Sequence, residues 1–154
     1  MKRLELILGA VVVVALFFKV LHWPGGSLML TIALTGLASI YMFWGFALLN
    51  NVSDDKAFSK SAYSGISTTQ IVVSIIAGLG LSAVCMGILF KMQHWPGAVI
   101  ILLAGLITIF GAGKFAYFKF WQSKNDFYKL ILFRIAIIGV IGLFCFAITD
   151  LNAL

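Results

Sequence analysis

Apolar and polar positions fall along the chain in long blocks rather than in the two-residue alternation of half-buried strands. Apolar runs cover Leu4–Leu21, Ser27–Leu49, Gln70–Met92, Ala98–Phe118 and Phe127–Ile148. At 1.5 Å per residue, each is close to the length a helix needs to cross a hydrocarbon layer roughly 30 Å thick. The pattern predicts an all-α integral membrane protein with five transmembrane helices. Ser27 is placed to cap the second helix, and Asn125 or Asp126 the fifth. The longest hydrophilic stretch, Asn50–Thr69, contains Asp54, Asp55, Lys56 and Lys60. It reads as a solvated connector with a short surface helix.

The first and third runs end on the same pattern. Phe18-Lys19-Val20-Leu21-His22-Trp23-Pro24-Gly25 is matched, 72 positions on, by Phe90-Lys91-Met92-Gln93-His94-Trp95-Pro96-Gly97. The 2 His and 2 Pro of the chain all lie within these copies. This is an internal duplication. It divides the chain into two tandem helical hairpins (1–49 and 70–121), a polar connector (50–69) and an extra C-terminal helix (122–154). Lys and His stand three apart and so share a helical face. Proline disfavours the helical conformation at the Trp before it, and glycine supplies the positive φ of a reversal. Tryptophan suits the membrane–water boundary. Each copy therefore predicts the end of one membrane helix, a short turn and the start of the next. Both turns should share one backbone and lie on one side of the membrane.

Small residues recur every four positions in three of the helices: Thr31, Thr35 and Ser39; Ser74, Gly78 and Ser82; Ala104, Thr108 and Ala112. Such stripes let helix backbones approach closely and predict packing faces in a bundle. Gly139 and Gly142 offer the same on the last helix. Tyr41, Phe43, Trp44 and Phe46 suggest an aromatic belt, and Arg134 lies shallow enough to snorkel to the boundary.

With 62% hydrophobic residues, 10% charged and a mean hydropathy of +1.11, the composition excludes an ordinary soluble domain. The formal charge of +6 would point to nucleic acid in a soluble chain. Here it reflects membrane-flanking Lys and Arg. If the N-terminus is cytoplasmic, nine basic residues (Lys2, Arg3, Lys56, Lys60, Lys114, Lys119, Lys124, Lys129, Arg134) lie inside, and only Lys19 and Lys91 outside. The expectation is a multi-pass membrane protein with its N-terminus inside and its C-terminus outside. The basic start followed by an apolar run resembles a signal peptide, but Ala15-Leu16-Phe17 offers no cleavage site. Cys85 and Cys145 sit inside apolar runs and read as small core residues.

No nucleophile, metal-ligand or nucleotide-binding motif is present. The acids, Glu5, Asp54, Asp55, Asp126 and Asp150, all fall at span ends or in loops. Neither a catalytic residue nor a cofactor or metal site is expected, and no nucleic acid or small-molecule substrate. The Lys19/His22 and Lys91/His94 pairs remain. They fit boundary anchors that fix the turns, or contacts to lipid headgroups or a partner's carboxylate. For proton handling, neither imidazole has a partner visible in the sequence.

The FK-x-x-HWPG signature resembles the start of the GldL family, inner-membrane subunits of bacterial gliding motility and type IX secretion. The resemblance implies that the motif joins two membrane helices, and that copies assemble around the membrane helix of a periplasmic partner, GldM, converting proton-motive force into movement. It also implies a long cytoplasmic region and an acidic residue in the helix after the motif. Here 28–49 and 98–121 hold no Asp or Glu, and a 20-residue connector, a second hairpin and an extra helix stand in place of the long region. The hairpin architecture carries over through Lys19, His22, Trp23, Pro24, Gly25 and Lys91, His94, Trp95, Pro96, Gly97. The motor acid does not. The expected function is a non-catalytic inner-membrane subunit packed against other integral membrane subunits. The alternative is a component of a proton-driven motor or channel that borrows its acid from a partner. A lipid-modifying enzyme using the Lys/His pairs has no specific support.

Overall fold

The apolar runs fold as five helices: α1 (Lys2–Val20), α2 (Gly26–Leu49), α3 (Thr68–Met92), α4 (Ala98–Ser123) and α5 (Asp126–Leu151). The structure is a computed structural model that describes residues 1–52, 56–57 and 59–151, without the side chains of 60, 61 and 148–151. Among the described residues there is no strand. Four helices, α2 to α5, are long and apolar enough to cross a membrane. The 19 residues of α1 carry Lys2, Arg3, Glu5 and Lys19, which sets it apart.

The helix ends follow from local chemistry. Ser67 and Gln70 form a reciprocal capping box at the start of α3, so the helix begins two residues before the apolar run. Asn125 Oδ1 accepts from the Phe127 N–H at 3.0 Å and caps α5. Ser27 does not cap α2: that place goes to Gly25, whose backbone is left-handed. At the far end of α2, Asn51 takes φ 60° and lets Val52 N–H close back on Ala47 O at 2.9 Å.

Helix α3 holds the middle, packing against α2, α4 and α5, while α1 lies along α2. Close approach is set by glycine. A Cβ on Gly87 would lie 2.5 Å from Leu102 Cα, and one on Gly45 would meet Gly78 Cα at 3.0 Å. Leu81, Val84, Ile88, Leu102, Ile109 and Ile131 fill the centre and are fully buried. Cys85 and Cys145 are both buried.

The three small-residue stripes fare differently. Ser74, Gly78 and Ser82 are buried in the α2–α3 contact, and Ala112 is buried on α4. Thr35, Ser39 and Ala104 are exposed, and Thr108 is half-buried. The Ser39 and Thr108 hydroxyls bond back to the carbonyls of Thr35 and Ala104, both at 2.8 Å. Four-residue spacing defines a face but not whether a neighbour meets it. Gly142 does pack: a Cβ there would sit 3.0 Å from Val84 Cγ1.

Two further expectations change. Tyr41 is no belt residue, since it is 3% exposed inside the bundle. The connector is not fully solvated either. Its 3-10 turn, Lys60–Tyr63, carries Tyr63 against Phe46, ring centroids 5.8 Å apart, and the Tyr63 hydroxyl donates to buried Ala57 O at 2.7 Å. Asp54 and Asp55 lie outside the described residues.

Candidate functional site

Both HWPG turns are built the same way. Helix α1 runs to Val20, and the next three residues close it. His22 N–H donates to Lys19 O at 3.2 Å and Trp23 N–H to Phe18 O at 2.8 Å. At the end of α3, His94 donates to Lys91 O at 3.2 Å and Trp95 to Phe90 O at 2.9 Å. This is a Schellman closure, in which a left-handed residue just past the helix lets two amides satisfy its last carbonyls. Histidine fills that position in both turns, with φ 57° each time. The Trp ring then packs edge-on against the Phe five positions before it, centroids 5.1 Å (Phe18–Trp23) and 5.0 Å (Phe90–Trp95) apart. Pro follows, and Gly25 (φ 88°) and Gly97 (φ 80°) start the next helix.

His22 and His94 are therefore not helical, and neither shares a helical face with its Lys. Both histidines are exposed, and the backbone beneath them is left-handed. Trp23 and Trp95 are also exposed, as are Pro24 and Pro96.

The turns meet at one end of the bundle. Gln93 Nε2 donates to Ser27 O and to Thr31 Oγ1, both at 3.0 Å, and Lys19 Nζ donates to Ser27 Oγ at 2.8 Å. Thr31 Oγ1 also donates to Ser27 O at 2.8 Å. Ser27 is thus the knot between the hairpins. The repeat positions matching Gln93 and Ser27 are Leu21 and Val99, so the knot cannot form twice. Lys91, whose copy has Val99 at the place of Ser27, lies 5.2 Å from the Phe146 ring centroid on α5.

Toward the other end sits a cluster the sequence did not announce. Arg134 on α5 donates from Nε to Glu5 Oε1 at 2.7 Å and from Nη2 to Oε2 at 2.9 Å. The Tyr41 hydroxyl donates to the same Oε1 at 2.6 Å. Arg134 does not snorkel, and Glu5 is not a loose span-end acid. Glu5 and Tyr41 each lie 15 residues from the first turn, along α1 and α2, which puts both about 22 Å from it.

A family model for the GldL N-terminal domain matches the chain over residues 7–67 and again over 76–128. The chain belongs to the GldL family. No curated protein and no solved structure matches it. Family membership and the apolar helices together make it a membrane protein. Each matched stretch of this GldL-family chain holds one HWPG turn with helices on both sides. Glu5 and Arg134 fall outside both stretches, whereas Tyr41 falls inside the first. The ion pair thus joins the two segments that flank the GldL-like part. The sequence did hold one signal for it: Arg134 is the one basic residue well inside the last apolar run, and such a charge needs a partner.

Proposed function

We propose that this GldL-family chain is a non-catalytic subunit of an inner-membrane complex serving gliding motility or type IX secretion, packed there against the helices of other integral subunits. The observation that carries the reading is the family match across both hairpins. In this reading the chain is a tandem duplication of one GldL-like hairpin, and α1 is the fifth span. Its length of about 28 Å suffices. Its charges are accommodated, with Lys2 and Arg3 at one boundary, Lys19 at the other and Glu5 held by Arg134. The basic asymmetry sets the N-terminus inside and the C-terminus outside, with both turns toward the periplasm. The knotted pair of turns then offers two exposed His and two exposed Trp on one platform for a periplasmic partner.

Purification of the chain from its native membrane in mild detergent, followed by mass spectrometry, tests this. Other inner-membrane subunits should be retained in fixed ratio through gel filtration. A chain that elutes alone from every mild detergent overturns it.

One observation favours a second reading, a proton-driven motor or channel component. Glu5 lies inside the bundle although the helices after both turns lack acids. In liposomes with a pH-sensitive dye, a proton leak abolished by Glu5→Gln would move the assignment to that reading. An intact gradient keeps the first.

A further inference from the structure

Helices α1 and α5 meet through Glu5 and Arg134. Between them runs an open groove of about 380 Å³. Its floor is Leu34 and Leu37 of α2 with Cys85 and Ile88 of α3. Gly9 and Val12 form one wall, Ile137 and Ile141 the other. A Cβ added at Gly9 would meet nothing within 4 Å, so the α1 wall is cut back at that residue. Apart from the Tyr41 hydroxyl, already given to Glu5, the polar groups lining it lie at one end: Lys2, Glu5 and Arg134.

That end carries excess positive charge. The Glu5 carboxylate is consumed by Arg134 and Tyr41. Lys2 lines the mouth and is exposed, as are Arg3 beside it and Lys129, one helical turn before the lining residue Phe133. Asp126 is the other acid at that end of α5.

The length of the groove selects its occupant. Along α1 it extends from Lys2 to Val12, and along α5 from Leu130 to Ile141. Both are about 15 Å. A transmembrane helix from another subunit would need a track through the whole hydrocarbon layer of roughly 30 Å. A groove of half that length, apolar inside and cationic at one mouth, has the dimensions of a single leaflet. We propose that it is a lipid site: one acyl chain of an anionic phospholipid lies between α1 and α5, with its phosphate at Lys2 and Arg3. The lipid fills the gap the two helices leave, and so completes the packing of α1. The site requires only that the bundle lie in a bilayer, so it stands or falls apart from the proposed partners.

Native mass spectrometry of the full chain in detergent, with phosphatidylglycerol or phosphatidylcholine of identical acyl chains added, tests it. The wild type should retain one phosphatidylglycerol and hold it at least fivefold better than phosphatidylcholine. Gly9→Leu, which places a side chain in the groove, should lose the adduct at least fivefold. Gly111→Leu, where a Cβ is equally unobstructed but on α4 away from this groove, should retain it. The exposed pair Lys2→Gln/Arg3→Gln should bring phosphatidylglycerol down to the phosphatidylcholine level, and it decides the matter if Gly9→Leu unfolds. Equal retention of the two lipids by the wild type, full retention by a folded Gly9→Leu, or an unchanged preference in the Lys2/Arg3 variant overturns the proposal.

Discussion

Arg134 holds Glu5 through two parallel hydrogen bonds, 2.7 and 2.9 Å long, between residues 129 positions apart. Their side chains are only 14% and 15% exposed, so each charge has given up most of its access to solvent. Removing one partner strands the other, which typically costs about 3–5 kcal/mol, whereas replacing both by apolar groups costs much less. Glu5→Ala and Arg134→Ala should each lower the melting temperature in detergent sharply. Glu5→Leu/Arg134→Met should lie nearer the wild type than either. A double variant as unstable as the sum of the singles would show that the pair is not coupled.

A non-glycine residue in the left-handed region costs on the order of 1–2 kcal/mol, and both turn histidines stand there. His22→Gly and His94→Gly should therefore hold or raise thermal stability, by about 1 kcal/mol each, while His94→Val should lower it. If the glycine variants are stable but fail to support motility or secretion, the imidazoles act on a partner and not on the fold. Loss of stability in the glycine variants would contradict the turn geometry.

Gln93 is the side chain that ties the second turn to the first. Replacing it by leucine, the residue at the matching place in the first copy, should cost about 1 kcal/mol. Its effect should also shrink in a Thr31→Val background, because the two share a hydrogen bond of 3.0 Å. Hydrogen exchange at the starts of α2 and α4 should distinguish local loosening from global destabilisation. Fully additive losses would mean that the knot carries no coupling.

The orientation is tested by reporters. A periplasm-active enzyme fused after Leu154 should be active, and one fused at Ser59 silent. The opposite pattern would reverse the membrane orientation and place both HWPG turns in the cytoplasm.

The turns were legible because their determinants are local. Trp, Pro and Gly act within three residues of one another, and the same letters appear twice. The identity of the left-handed residue was not legible, since glycine is the usual occupant and a histidine three after a lysine reads as helical. The Glu5–Arg134 pair was hidden for a geometric reason. Glu5 stands in the first turn of α1, but it lies level with Tyr41, eight residues short of the end of α2, so an acid near the start of the chain is held against the bundle. The packing faces were half legible, because these helices are apolar on nearly every side. Four-residue spacing picked out Ser74–Gly78–Ser82, where Gly45 meets Gly78, but gave Thr35 and Ser39 equal standing although they are exposed. The tightest approach, Gly87 against Leu102, had no partner spacing to announce it.

The reach of the ion pair also sets an order of events during synthesis. Glu5 leaves the ribosome among the first residues, and Arg134 follows 129 residues later. At about 5–20 residues per second, that is a wait of roughly 6–26 s. Throughout it the Glu5 carboxylate lacks its α5 cation and has Lys2 of its own helix and the Tyr41 hydroxyl for company. The first helix is thus provisional until the last arrives. A chain interrupted before α5 would expose its incompleteness at α1, where membrane proteases and chaperones could recognise it.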